Sequence, residues 1–226
     1  MTLALLHTSA VHVPVFDGLR DRHHPGLALR HLVDEELLER ARAEGPEAVA
    51  GAVRDALAEA VADGARAVLC TCSTIGGVAE RSAAELGVPV LRVDRPMAAE
   101  AVRVERSGMG VPPAEGRGRI VVVATSASTL GPTVDLLREE SGERTTTVTT
   151  LLVDGAWERF LAGDHDGYLD AVARALDSVD PVGGGVIVLA QASMADAAER
   201  TTTPLPVLSS PRLGLAAAAS VVRRHG

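Results

Sequence analysis

Cysteine is the residue type in this chain best suited to do chemistry, and it occurs at 70 and 72, within AVLCTCSTIGG (67–77). An apolar run ends at the cysteines; hydroxyls and paired glycines follow. This is the pattern of a buried strand running into a helix. A thiol at such a turn meets backbone N–H groups that favour negative charge. Cys72 is therefore a candidate activated thiol, able to exchange a proton with a carbon acid or attack an electrophile. The competing reading is a small residue closing a strand, since free cysteine is among the most buried types. Cys70, inside the strand, reads as structural.

Hydroxyls recur at the predicted strand-to-helix turns: Thr8, Ser9, Ser73, Thr74, Thr125, Ser126, Thr129 and Ser193. Singly, each suits a helix cap. As a set, with helix N–H groups, they suit an anion such as a carboxylate. His7 closes the first strand and is either a titrating imidazole or a satisfied core histidine. His23 and His24 lie on a polar loop without companion ligands, so no metal site is expected.

The elements that position these groups are read from apolar runs bounded by turn residues: 3–6, 28–33, 67–72, 88–93, 120–125, 147–153, 185–190 and 205–209. Several are solid with Val, Ile and Leu, which suits buried strands of a parallel sheet. Helical patterns lie between them, at 46–63, 76–86, 132–141, 164–177 and 212–224. The alternation gives an α/β class.

The chain also repeats itself at about 115–120 residues. LLHTSA answers to VVATSAST, LVDEELLE to LVDGAWER, ARAVLCTCSTIGG to GGVIVLAQASMAD, and VPVLRVDRP to LPVLSSPR. Two pseudo-symmetric lobes are expected, each a mainly parallel sheet flanked by helices. They span 1–107 and 119–210, joined by a Gly/Pro-rich linker at 108–118, with helix 211–226 packing back on the first lobe. Ligands bind beyond the C-terminal ends of parallel strands. That places the active site in a cleft between lobes, lined by His7, Thr8 and Ser9, by Cys72, Ser73 and Thr74, by Thr125 and Ser126, and by Gln191, Ala192 and Ser193. The apolar run 213–222 can cover the first lobe's sheet or serve self-association into a homo-oligomer.

Composition removes several classes. Net charge is -8 and aromatics are 2%, which argues against a nucleic-acid groove. No lysine is present, so a pyridoxal phosphate Schiff base, a P-loop and protein-kinase chemistry are excluded. Two cysteines this close would make a poor structural disulfide, and the expected compartment is reducing cytosol. MTLALLHTSAVHV lacks the basic start and apolar length of a signal peptide, and no run is long enough to span a membrane.

VLCTCSTIGG and VIVLAQASMADA, in the two halves of one chain, resemble the aspartate/glutamate/hydantoin racemase superfamily. The HTS and VDE segments and the Thr/Ser loop after the fifth strand fit too, so the resemblance covers nearly the whole chain. It implies catalysis without a cofactor: one thiolate removes an α-proton and an opposed thiol returns one. Loop hydroxyls and backbone N–H groups hold the substrate carboxylate. Cys72 matches the first catalytic cysteine, Ser73 and Thr74 the carboxylate-binding pair behind it. Thr8 and Ser9 match the first-strand loop, Thr125 and Ser126 the loop after the fifth. The second motif departs: Gln191 stands where the second cysteine belongs, followed by Ala192 and Ser193. An amide side chain only donates and accepts hydrogen bonds. The expectation is thus a racemase- or isomerase-like enzyme for a small carboxylate-bearing substrate, with Cys72 as its single thiol and His7 as a candidate second acid/base. The alternatives are a one-cysteine decarboxylase or lyase of the arylmalonate decarboxylase type, and a small-acid-binding protein without turnover.

Overall fold

The computed structural model describes residues 2–107, 119–143, 146–183 and 185–224; the linker expected at 108–118 lies outside them. The chain divides into two compact units, Met1–Pro96 with Pro211–Gly226, and Met97–Ser210.

The first unit is built on strands β1 (Thr2–His7), β2 (Ala28–Val33), β3 (Ala65–Cys70) and β4 (Val90–Arg92). They pair in the order β2-β1-β3-β4, all parallel. Its helices are α1 (His12–His23), α2 (Glu36–Glu44), α3 (Ala50–Ala62), α4 (Ser73–Arg81), α5 (Ala83–Leu86) and, at the chain's far end, Ser210–Arg224. Successive strand residues point to opposite faces, and each face of this sheet is covered. Ala4 and Leu6 pack with Leu37 and Ala41 of α2, Val53 and Leu57 of α3, and Ile75 and Val78 of α4. Leu3 and Leu5 pack with Phe16 and Leu19 of α1 and with Leu215, Ala218 and Val222 of the C-terminal helix. The apolar run of that helix thus covers the sheet. It approaches so closely that a Cβ on Gly214 would stand 2.5 Å from the Val93 carbonyl oxygen, a contact that requires glycine there.

Helix α6 (Arg95–Ser107) leads into the second unit, whose strands are β5 (Arg119–Ala124), β6 (Thr147–Leu152), β7 (Val186–Leu189) and β8 (Val207–Leu208). Their order, β6-β5-β7-β8, repeats that of the first sheet. Helices α7 (Leu130–Ser141), α8 (Ala156–Leu161) and α9 (His165–Asp177) complete this unit, and the C-terminal helix is α10. Val121, Val123, Ile187 and Leu189 pack against Tyr168, Val172 and Leu176 of α9.

Two expectations are corrected. The runs at 28–33 and 147–153 form strands, but not buried ones: β2 and β6 are edge strands, exposed or half-exposed along their length, and Val33 and Leu152 are open to solvent. An edge strand pairs on one side only, and local apolar pattern does not encode sheet order. The helix expected at 76–86 begins at Ser73 and breaks at Ser82 into α4 and α5. No described helix is long and apolar enough to cross a membrane.

Candidate active site

In the first unit β1 and β3 are parallel neighbours, with Leu6 opposite Cys70. Thr8–Ser9 and Cys72–Thr74 therefore leave the sheet at the same edge. Cys72 is the N-cap of α4, in extended conformation (φ -106°, ψ 118°), and no side chain caps the helix. Both cysteines are free. Ser73 and Thr74, the first two residues of α4, are almost fully buried at 3% exposure each. Their hydroxyl oxygens have no hydrogen-bond partner. A buried hydroxyl left unpaired costs about 1–3 kcal/mol, and here two stand together where a helix presents free N–H groups. This arrangement suits an anionic oxygen pair arriving from outside. Thr8 is buried and Ser9 half-buried at the adjoining turn.

The paired glycines that follow have a packing reason. The Arg92 side chain lies over them: a Cβ on Gly76 would stand 3.0 Å from Arg92 Cβ, and one on Gly77 would stand 3.3 Å from Arg92 Nη1. Arg92 Nε and Nη2 donate to the two carboxylate oxygens of Asp94, at 2.7 and 2.9 Å. Asp94 is fully buried and Arg92 nearly so. Sequence reading missed this pair. Its signal was two opposite charges two residues apart at the end of an apolar strand, which share a face.

Cys70 points inward, its Sγ 3.6 Å from the Cys72 carbonyl oxygen. Burial, reinforced by the neighbouring Cys72 thiol, pushes the Cys70 thiol well above its ordinary range. Cys70 is wholly buried and Cys72 is 9% exposed. Iodoacetamide is therefore expected to modify Cys72 at least about tenfold faster than Cys70, read by peptide mass spectrometry; equal, slow modification of both would count against an open thiol.

His7 is engaged at both ring nitrogens. Nδ1 lies 2.8 Å from Thr71 Oγ1 and Nε2 lies 2.8 Å from His31 Nδ1. Burial, with His31 and His12 nearby, pushes its pKa down to about 3, so the imidazole is neutral and internally bonded. Sequence reading missed Thr71 and His31 as its partners.

In the second unit β5 and β7 are neighbours, with Val123 opposite Leu189, so Thr125–Ser126 and Gln191–Ser193 also leave at one edge. Gln191 is the chain's lone glutamine. Its Oε1 accepts three hydrogen bonds: from Thr125 N at 2.7 Å, Thr125 Oγ1 at 3.0 Å and Ser126 N at 3.3 Å. Ser126 Oγ pairs with Ser128 Oγ at 3.0 Å, Thr129 Oγ1 donates to Ser126 O, and Ser193 Oγ pairs with the Tyr168 hydroxyl at 2.8 Å. Ala192 is buried and starts a 3-10 helix, Ala192–Glu199. The two strand-end clusters thus differ. At the first cluster the Ser73 and Thr74 hydroxyls are buried without partners, whereas at the second the Gln191 carbonyl already takes the Thr125 and Ser126 donors. Gln191→Ala is expected to lower stability by about 1–3 kcal/mol, measured as a urea midpoint, because it leaves the Thr125 and Ser126 amides unpaired. Gln191→Glu, which keeps an oxygen in place, should lose less. Among the described residues no group of three or more His, Cys, Asp and Glu is placed to hold a metal.

No family model and no curated protein matches the sequence. Solved structures do match in fold. A glutamate racemase of Bacillus anthracis superposes with a TM-score of 0.68 at 16% identity, covering 100% of this chain and 82% of its own. The aspartate racemase of Picrophilus torridus gives 0.66 at 15%, covering 100% and 94%. Arylmalonate decarboxylase gives 0.59 at 17%, covering 98% and 92%. With its two like-ordered parallel sheets, the chain has the α/β fold of these racemases and of arylmalonate decarboxylase.

Proposed function

We propose that the protein is a cofactor-independent racemase- or isomerase-like enzyme for a small carboxylate-bearing substrate, with Cys72 as its single working thiol. The observation that carries this reading is the pair of buried, unpartnered hydroxyls of Ser73 and Thr74 immediately after that thiol. A substrate carboxylate taken there would receive the two hydroxyls and the first N–H groups of α4. Its α-carbon would then lie near the Cys72 sulfur. The thiolate removes the α-proton, and the electron pair passes into the carboxylate as an enediolate. The donors already on those oxygens stabilise the added charge. The thiol then returns the proton to carbon.

Gln191 has no acid–base proton to give, and its oxygen is held by Thr125 and Ser126. His7 is neutral and bonded at both nitrogens. One thiol working alone returns the proton to the face it came from. The same observation favours a second reading, a decarboxylase: a malonate-type acid loses carbon dioxide and Cys72 protonates the resulting enediolate on one face. Both readings suit a reducing cytosol, where the thiol stays free.

The test is incubation in deuterium oxide with a panel of α-amino acids, hydantoins and malonates, followed by proton NMR and chiral chromatography. The expected result is α-deuteration with retained configuration, or carbon dioxide release from a malonate. Inversion as fast as exchange would overturn the one-thiol mechanism. No exchange and no release with any member would leave a binding protein instead.

A further inference from the structure

Gln191 is nearly buried, at 9% exposure, and its amide fits in one orientation only. The backbone N–H groups of Thr125 and Ser126 reach the same side-chain atom, at 2.7 and 3.3 Å. A backbone N–H only donates, so that atom must be the carbonyl oxygen. Exchanging the two ends of the amide would set its NH2 against two other donors. With the oxygen fixed, Thr125 Oγ1 at 3.0 Å has to donate to it as well. The main chain on either side is held too: Ala190 N donates to Val123 O at 2.9 Å, and Met194 N donates to Gln191 O at 3.1 Å. The nitrogen end is different. Among the described residues none accepts a hydrogen bond from Gln191 Nε2, and this atom is not one of the buried polar atoms left without a partner. The NH2 group therefore reaches the protein surface.

We propose that Gln191 is a specificity-determining residue: its side chain is a fixed, uncharged N–H donor that takes an acceptor oxygen, carboxylate or carbonyl, of a small-acid substrate. The neighbouring hydroxyls are already engaged with one another or with the main chain. Ser126 pairs with Ser128, Thr129 with the Ser126 carbonyl oxygen, and Ser193 with Tyr168. That leaves the Gln191 NH2 as the group of this cluster whose hydrogen bonds are still to be made. It has two protons to give and no lone pair to accept with. A ligand group that only donates, such as an ammonium, finds no partner there. Because the donor is neutral, it serves a charged carboxylate oxygen and an uncharged carbonyl oxygen alike. Three bonds to the oxygen hold the amide in place before any ligand arrives, so little side-chain freedom is lost on binding.

The proposal rests on the small-acid reading above and deepens it, and its test reads binding rather than turnover. Glutamine occurs once in the chain and asparagine not at all. The carboxamide pair in a proton–nitrogen-15 correlation spectrum therefore belongs to Gln191 alone. In the free protein its NH2 protons should exchange readily with water, while the Thr125 and Ser126 amides are protected. Titration with succinate, or with its uncharged dimethyl ester, is expected to move the pair downfield and to saturate. Propylammonium chloride at equal ionic strength should leave it in place. Succinate acting alone identifies a carboxylate as the acceptor; the ester acting as well extends it to neutral carbonyls. Gln191→Glu keeps an oxygen toward Thr125 and Ser126 but turns the outward donor into an acceptor. Its affinity for succinate, read by calorimetry, should fall at least about tenfold. An unchanged affinity in Gln191→Glu overturns the proposal. So does a carboxamide pair that is protected in the free protein, that neither probe moves, or that the propylammonium salt moves equally. If Gln191→Glu fails to fold, the wild-type titration decides. Succinate held at the Gln191 N–H groups of a protein that exchanges no α-proton and releases no carbon dioxide upholds this inference and sinks the proposed activity. Turnover with the Gln191 signals unmoved does the opposite.

Discussion

Asp94→Ala is expected to destabilise the fold by about 3–5 kcal/mol, a loss readable as a lowered urea midpoint. Asp94 is fully buried and receives two hydrogen bonds from a nearly buried guanidinium. The substitution takes the bidentate partner away and leaves the Arg92 charge inside the protein, where water cannot replace the lost oxygens. Replacing both members, as Arg92→Met with Asp94→Leu, removes the charge as well and is expected to recover most of the loss. A single-variant loss below about 1 kcal/mol would place the pair among solvated surface ion pairs instead. The damage should also reach the site. Arg92 lies across Gly76 and Gly77 of α4, the helix whose N-terminus carries Cys72, Ser73 and Thr74. Gly76→Ala pushes from the other side, with its new methyl 3.0 Å from Arg92 Cβ. The charged pair and the two glycines are one packing unit beneath the thiol.

That unit shows how far local sequence reads. STIGG after an apolar run announces a strand-to-helix turn, and Cys72 does fall there, as the N-cap of α4. The expected helix begins at Gly76, whereas the helix starts at Ser73, and the glycines make room for an arginine from β4. Nothing within ten residues of Gly76 carries that information; it depends on β3 and β4 being neighbours. The same limit hid His31. It meets His7 because β2 pairs with β1, and an apolar pattern gives strands without their order. It hid Tyr168 as well, which reaches Ser193 from α9. The repeat carried more. Four motif pairs in one order announced two like units, and the sheets do share one strand order. The difference between the units was legible only as a letter, Gln191 where a cysteine was expected. That its oxygen would be held by Thr125 and Ser126 follows from β5 and β7 pairing.

Cys72→Ala is expected to lower α-proton exchange roughly 10²- to 10⁴-fold. An acid–base group positioned at the reacting carbon contributes that much. Cys72 also packs in the first unit's core, so loss of its sulfur is expected to cost about 1 kcal/mol of stability as well. Cys72→Ser should fare no better, because a hydroxyl is far harder to ionise than a thiol. Cys70→Ala reverses the balance: Cys70 is wholly buried in the sheet, so stability should fall while exchange persists. Ser73→Ala separates the binding role from the proton transfer. Its hydroxyl is buried without a partner in the free protein, so removing it should raise stability by about 1 kcal/mol. If that oxygen waits for a substrate carboxylate, the same change should weaken substrate binding. A position where one substitution strengthens the fold and weakens the ligand is the mark of strain kept for function. If Ser73→Ala is neutral for both, the hydroxyl is not waiting for a carboxylate, and the assignment of the α4 N-terminus as the substrate site fails with it.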